Sequence, residues 1–226
     1  MKIVAIILAR GGSVGIPRKN IKLINNLPLI AYSIKQCFRA GISEIYTSSD
    51  DKEILDIAKV YGSKTILRPS ALAESNSTSE EAWIHAIKAI NCLDFEKDWI
   101  FAPQLTSPLR ETKDIRNACK LALEGSYDSI LSVVSFDDFF LWQENNTKIT
   151  PLNHDYRFRK RRQEIKSKTL LENGSFYMFK PKGIISEQNR LHGKIGYVFM
   201  EKYKMFQIDE NDDLEIAEYF IKKYDL

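Results

Sequence analysis

The stretch Ile7–Asn20, ILARGGSVGIPRKN, follows directly on the apolar run KIVAIIL. That run has the near-continuous apolar character of a strand buried on both faces of a parallel sheet. The glycines and cations after it would then lie at the carboxyl end of the strand, where open α/β sheets bind ligands. Successive glycines let backbone N–H groups approach one anion, because no Cβ intervenes. Arg10 and Lys19 add positive charge beside them. The ligand suggested is a polyphosphate; the alternative is a tight turn with no ligand. Two common phosphate loops do not fit. A Walker loop places Lys and then Ser or Thr directly after its last glycine, whereas Gly15 is followed by Ile16 and Pro17. A dinucleotide fingerprint runs G-x-G-x-x-G into a helix. Here the glycines stand at 11, 12 and 15, and Pro17 biases its predecessor away from helix.

Outward from this stretch, strand-like and helical patterns alternate. LIAYSIKQCFRA closes at Gly41, and EIYTSS precedes DDKEILDIAKVY, which closes at Gly62. KTILR precedes a helix opening near Thr78, and DWIFAP precedes KDIRNACKLALE, which closes at Gly125 before DSILSVVS. Glycine after a helical pattern is the expected stop, and this rhythm predicts a mostly parallel sheet covered by helices on both faces. The rhythm breaks after Ser135. Residues 136–172 are aromatic (Phe136, Phe139, Phe140, Trp142) and then basic (RFRKRRQ), and read as an insertion on a single domain spanning 1–226. Such excursions carry substrate contacts or a subunit interface. SFYMF, KIGYVFM and the amphipathic DDLEIAEYFIKKY complete the pattern.

The totals exclude several classes. A length of 226 residues suits one domain with a sizeable core. The net charge of +3 is too small to argue for nucleic acid, so any anion site must be local. The longest early apolar run, IVAIILA, is too short to cross a bilayer, and a cytoplasmic protein without membrane contact is expected. Cys37, Cys92 and Cys119 lie far apart in apolar-periodic segments and read as buried free thiols. His85, His154 and His192 show no metal-ligand spacing.

ARGGSxGIPxKN after the first strand resembles the sugar-activating cytidylyltransferases, in particular the acylneuraminate cytidylyltransferase (CMP-sialic acid synthetase) family. LINNLPLIAYSIKQC resembles the segment after the family's loop. TSSDD resembles its STD stretch, LRPSALAE its RPxxLA and QLTSPLR its QPTSPLR. RRQ and ENGSFY resemble its RQ and NGxxY, and IDENDDLEIAE stands where the family has IDIDxxxDxxxAE. The resemblance covers nearly the whole chain, in order. It implies an α/β, three-layer Rossmann-like nucleotidyltransferase fold, with a mostly parallel sheet and a dimerisation insertion at 136–172.

The resemblance also implies site residues. Ala9, Arg10, Gly11, Gly12, Ser13, Lys19, Asn20, Arg68, Ser79 and Gln104 would bind the nucleotide, CTP. Gln104, Thr106, Ser107, Arg162, Gln163, Asn173, Gly174 and Tyr177 would bind a nine-carbon α-keto sugar acid, with Arg162 near its carboxylate. Lys19, Arg10 and Asp209 would be catalytic. Read as residues alone, several have plainer roles. Thr78 and Ser79 suit an N-cap, Asn173–Gly174 suits a turn, and Arg68 could be a surface arginine holding a loop. Arg110 could bind phosphate or carboxylate, or pair with Asp50.

Nucleotidyl transfer requires neutralisation of the triphosphate, which Mg2+ or Mn2+ held by carboxylates and phosphates supplies. The resemblance places the metal on Asp209 and on the position of Asn211. The second family aspartate is Asn211 here, which can offer a neutral oxygen but no charge. Asp212 and Asp213 could instead cap the last helix. The family's GSKG is GSVG here, so Val14 brings no cation. The expected activity is transfer of CMP from CTP to a nine-carbon sugar acid by a homodimer. The alternatives are transfer to the eight-carbon 3-deoxy-manno-octulosonate, and a non-catalytic nucleotide-binding homologue.

Overall fold

A computed structural model describes every residue of the chain except Val14, 137–139, 160, 162–163 and 165–168. β1 (Ile3–Leu8) lies inside the sheet, parallel to β4 (Glu44–Ser49) on one side and β6 (Trp99–Pro103) on the other. β5 (Lys64–Leu67) extends the β4 side in parallel. On the other side β10 (Leu170–Phe179) runs antiparallel between β6 and β7 (Ser129–Ser135), and β11 (Ile195–Phe199) forms the edge, parallel to β7. The result is a 7-stranded sheet ordered β11-β7-β10-β6-β1-β4-β5. A small hairpin, β2 (Leu23–Ile24) with β3 (Leu27–Pro28), leads into α1 (Leu29–Ala40).

Side-chain alternation along β1 splits the core into two layers. Ala5 and Ile7 face α1, α2 (Lys52–Val60) and α4 (Thr112–Leu123), packing with Ile30, Ile34, Ile54 and Ile115. Val4 and Ile6 face α3 (Ser79–Ala89) and α5 (Pro181–Glu187), packing with Trp83, Ile87 and Ile184. Period-2 alternation with apolar residues at every position is what a strand needs when helices cover both faces. A third cluster joins the first loop to α6 (Asn211–Tyr224) through Ile16, Leu29, Ile208, Ala217 and Ile221. It brings the chain's last segment beside the loop after β1.

Three features depart from the sequence reading. The strand containing SFYMF begins at Leu170, so the last residues of 136–172 already belong to the main sheet. Asn173–Gly174 is not a turn ahead of a strand but an irregularity inside β10, with a register shift between Glu172 and Tyr177 and a positive φ of 63° at Gly174. A bulge lets the strand re-aim its side chains without ending. Within 136–172 lies the hairpin of β8 (Trp142–Asn145) and β9 (Lys148–Pro151), turned by Asn146 and Thr147, both at positive φ. Last, Cys92 is exposed rather than buried, because it follows α3 at a positive φ of 64° in the turn leaving the core.

Candidate active site

The loop after β1 is held from three directions. Ala9 is buried, and its N–H donates to the Ser48 carbonyl at 3.0 Å. Asn20, at the middle of a short 3-10 turn, is buried and its Nδ2 donates to the Arg10 carbonyl at 2.8 Å, closing the loop on itself. Arg18, in the left-handed region at φ 58°, bridges Asp51 and Glu53 at the start of α2. Asp51 also caps that helix by accepting from Glu53 and Ile54 N–H groups, and burial, opposed by Arg18 and those amides, leaves its carboxyl below the ordinary range.

Gly11 and Gly15 also have packing roles in the loop. Gly11 N–H donates to Asp50 Oδ1 at 3.0 Å and Ser13 N–H to the Gly11 carbonyl at 3.2 Å, so these amides already have partners within the fold. Both glycines allow close approach. A Cβ on Gly11 would lie 2.9 Å from Asp51 Oδ2, and one on Gly15 would run into the carbonyl oxygen of Asp209. Around Gly12 there is open space.

Lys19 connects the loop to the far end of the chain. Its Nζ donates to the Ile208 carbonyl at 2.8 Å and to Asp209 Oδ1 at 3.2 Å. The Asp209 side chain is otherwise 69% exposed, so its second carboxylate oxygen is free to meet a ligand. Asp209 N–H and Glu210 N–H both donate to Asp213 Oδ2 at 2.8 Å, so Asp213 caps α6. Asn211 is the first residue of that helix and does not line the cleft.

These elements border a cleft of about 550 Å³ over the carboxyl ends of β1 and β6. Arg10, Ser13, Lys19 and Asn20 line it from the first loop, Arg68 and Ser79 from beyond β5, Gln104 and Thr106 from the end of β6, and Asp209 from the last segment. Sequence reasoning named all of these. It missed the wall from Leu72 to Ser75 and Ser77, although the run of small residues between Arg68 and Ser79 signals a close-packed loop. It also missed Asp50 and Gly15, whose roles depend on segments distant in sequence.

Arg68 is the most unusual group in the cleft. It is 4% exposed, yet its Nε and Nη2 have no partner among the described residues. Burial lowers its guanidinium pKa, with Arg10 acting in the same sense and Asp50 opposing. A buried, unsatisfied guanidinium is costly and is relieved by an acceptor entering the cleft. Ser79 sits at the start of α3, whose Thr78–Glu81 capping box leaves the helix N-terminus at the cleft wall.

Other named residues lie elsewhere. Ser107 is 1% exposed, its hydroxyl has no partner among the described residues, and it does not line the cleft. Arg110 neither binds at the cleft nor pairs with Asp50. It is fully buried and donates to Ser33, Gln36, the Ser175 carbonyl and the Gln104 carbonyl, so it braces the loop after β6. Burial brings its guanidinium down to about 10. Asn173 is 2% exposed, and both ends of its side-chain amide are bonded within the fold. Gly174 packs against Gln207. Tyr177 packs edge-on to Trp83 and its hydroxyl donates to Glu172. Burial, with Glu172 beside it, raises the phenol pKa. Arg190 lies over both the Trp83 and Tyr177 rings and holds Glu80 at 2.6 and 3.1 Å. Arg162 and Gln163 lie outside the described residues.

An acidic trio, Glu111, Asp114 and Glu201, comes close enough together to suggest a metal site. The Lys204 ammonium fills it, bonded to Asp114 Oδ2 at 2.8 Å and paired with Glu111 and Glu201. A positive charge already stands where a cation would sit, so the trio is an ion network. At the cleft the carboxylate residues among the described lining are Asp209 and Glu74, and Asp209 is the one beside Lys19. One carboxylate plus substrate phosphates is an ordinary set for Mg2+, and the exposed Asp209 side chain fits it.

Comparison with known proteins shows the family. Residues 4–223 match the family model described as Cytidylyltransferase. The chain is 33% identical over 225 residues to N-acylneuraminate cytidylyltransferase A of Danio rerio, covering 97% of this chain and 51% of that protein. It is 29% identical to the pseudaminic acid cytidylyltransferase of Campylobacter jejuni strain 81-176, covering 98% of this chain and 97% of that one. The chain thus spans about half the length of the vertebrate relatives it matches. Among solved structures, CMP:2-keto-3-deoxy-manno-octonic acid synthetase complexed with CTP superposes with a TM-score of 0.75 over 99% of this chain and 100% of the other, at 13% identity. At that identity the likeness concerns the fold.

Proposed function

Because the chain belongs to the cytidylyltransferase family, we propose that it transfers CMP from CTP to a nine-carbon α-keto sugar acid. The observation that carries this reading is the cleft itself. Arg10, Lys19 and the buried Arg68, whose Nε and Nη2 have no partner among the described residues, line it with the Asp209 carboxylate. Such a set suits a triphosphate whose charge is shared between fixed cations and a carboxylate-held metal.

In the proposed reaction Arg10 and Lys19 hold the phosphates, and Arg68 supplies donors to the nucleoside end. Ser79 and Gln104 complete the nucleotide side, while Thr106 borders the acceptor. The anomeric hydroxyl oxygen of the sugar acid forms the new bond to the α-phosphorus. The bond from that phosphorus to the bridging oxygen breaks, pyrophosphate leaves, and the hydroxyl proton passes to solvent. Lys19 offsets the negative charge gathering on the phosphates in the transition state. Asp209, with the phosphates, would hold Mg2+ or Mn2+, which would supply further charge neutralisation. Arg162 and Gln163 are proposed to meet the acid's carboxylate, and Ser107, Gly174 and Tyr177 to shape its pocket from behind the cleft wall. Ala9, Gly11 and Gly12 contribute as the backbone of the loop.

A homodimer through residues 136–172 is part of the proposal. Leu141, Trp142 and Ile149 on the hairpin are exposed, an apolar surface suited to a partner. A cytoplasmic location is also proposed. Among the described residues no helix is long and apolar enough to cross a membrane.

The test is pyrophosphate release from CTP and Mg2+ against N-acetylneuraminate, its deaminated form, legionaminate, pseudaminate and the eight-carbon 3-deoxy-manno-octulosonate. Release with a nine-carbon acid is expected. Release with the eight-carbon acid alone overturns the substrate assignment, and CTP binding with no release overturns the activity.

A further inference from the structure

The segment 204–209 carries the two groups that meet Lys19, and no regular secondary structure holds Phe206–Asp209 in place. It is fixed instead by a chain of side-chain contacts. Lys204 anchors one end: its ammonium is 0% exposed and closes the trio Glu111, Asp114 and Glu201, so this residue is tied to α4. The Lys204 carbonyl accepts from Asn173 Nδ2 at 3.3 Å. The Asn173 carbonyl in turn accepts from Gln207 Nε2 at 3.0 Å. Ile208 is buried in the third core cluster, and its N–H donates to the Thr106 carbonyl at 2.8 Å. One residue later, Asp209 emerges into the cleft against Lys19.

Both amide hydrogens of Asn173 are engaged within the fold, and its Oδ1 already accepts there. One amide hydrogen goes to the Lys204 carbonyl and the other to Met200 Sδ at 3.4 Å, while Oδ1 accepts from Ser175 N–H at 3.3 Å. At 2% exposure it does not reach the cleft. Its neighbour Gly174 is at positive φ, and a Cβ there would lie 2.8 Å from Gln207 Nε2. The bulge in β10 therefore seats Gln207, and through it the segment that ends in Asp209.

We propose that Lys204 and Asn173 are positioning residues that set the 204–209 segment so that Asp209 can hold the cation of a metal–nucleotide complex beside Lys19. The proposal rests on the cytidylyltransferase reading for the identity of that complex, and it moves Asn173 from acceptor contact to support of the metal ligand. Residues that orient a metal ligand affect metal affinity directly. A residue that touches the sugar affects the KM for the sugar instead.

The experiment measures Mn2+ binding to the full-length protein saturated with CTP, by water-proton relaxation enhancement, which reports protein-bound Mn2+ above the free nucleotide complex. Alongside it, KM for the sugar acid is measured. Asn173→Ala and Lys204→Met are expected to weaken Mn2+ binding by about 10-fold, the low end for lost ligand support, with the sugar KM within about twofold of wild type. Gln207→Ala, which deletes a single contact, is expected to shift it in the same direction by a smaller factor, and it decides the matter if the buried variants do not fold. A raised sugar KM with unchanged Mn2+ affinity overturns the proposal, as does no change in either. Absence of any relaxation enhancement in the wild-type chain overturns it too. If wild type transfers CMP to no acid but the variants still lose Mn2+ affinity, the function reading fails and the positioning role stands.

Discussion

Lys19 and Asp209, 190 residues apart in sequence, meet at 3.2 Å between Nζ and Oδ1. The contact places the loop's one inward lysine against the carboxylate suited to a metal. The lysine is held by Asp209 and the Ile208 carbonyl, so its position is set by the fold. Lys19→Ala should lower kcat by at least ~100-fold, the scale for loss of one transition-state charge partner. The melting temperature should stay close to wild type, because the Lys19–Asp209 pair is largely exposed on the carboxylate side. Steady-state kinetics and a thermal melt check this; near-wild-type turnover would remove Lys19 from the proposed role.

Arg68 separates stability from binding. Two nitrogens of its buried guanidinium have no partner among the described residues, a desolvation penalty that a bound acceptor would relieve. Arg68→Met should therefore be neutral or stabilising, by up to about 2 kcal/mol in denaturant melts of the free protein. CTP should bind at least about tenfold more weakly, as expected when a buried charged donor loses its acceptor. A destabilised variant with unchanged CTP affinity would mean that Arg68 only braces the loop.

The glycines of the first loop should not be equivalent. Gly15→Ala drives a Cβ into the Asp209 carbonyl oxygen, whereas Gly12→Ala meets open space. The first should destabilise by about 1–3 kcal/mol, the range for overpacking a closed contact, and should weaken turnover by displacing Asp209. The second should fall within about 0.5 kcal/mol of wild type. Equal effects on chemical unfolding would contradict the close approach of the two segments.

The ion network around Lys204 gives stability a dependence on acid pH. Burial pushes the Glu201 carboxyl up, but Lys113 and Lys204 outweigh it and bring it from 4.5 down to about 2. A carboxyl lowered on folding adds stability that is complete above pH 4.5 and is lost as pH falls toward about 2. Glu111 is lowered in the same way, whereas burial raises Asp114 despite its bond to Lys204, so Asp114 works in the opposite sense. Glu201→Gln should flatten the fall in melting temperature between pH 4.5 and 2. An unchanged slope would mean that Glu201 does not contribute to the network in solution.

Much of the site was legible because strand ends are legible. β1 and β6 are short apolar runs and β4, EIYTSS, is a strand of β-branched, aromatic and small residues; each is followed by a loop rich in small or charged residues, and a parallel sheet places such loops on one side. Arg10, Ser13, Lys19, Asn20, Arg68, Ser79, Gln104 and Thr106 share the cleft for that reason. Asn173 and Arg110 were harder, because their residue types suit a ligand as well as they suit a buried bracket. What separates the two roles is whether their hydrogen-bond capacity is filled. Asn173 is filled by Lys204, Met200 and Ser175, and Arg110 by Ser33, Gln36, Gln104 and Ser175. Those partners come from remote segments and leave no periodic signal.

The sequence by itself determined the parallel α/β architecture and the cationic loop at the end of its first strand, because apolar periodicity and glycine placement act over a few residues. It also determined, through its matching motifs, the family. Only the tertiary structure decided that Asp50 takes the Gly11 amide, that Gly15 is needed for the passage of Asp209, and that Lys204 neutralises the acidic trio. The first depends on how the loops after β1 and β4 meet, and the other two on how the 204–209 segment packs against α4 and the first loop. Such packing minimises buried, unpaired polar groups over the whole molecule rather than along the chain.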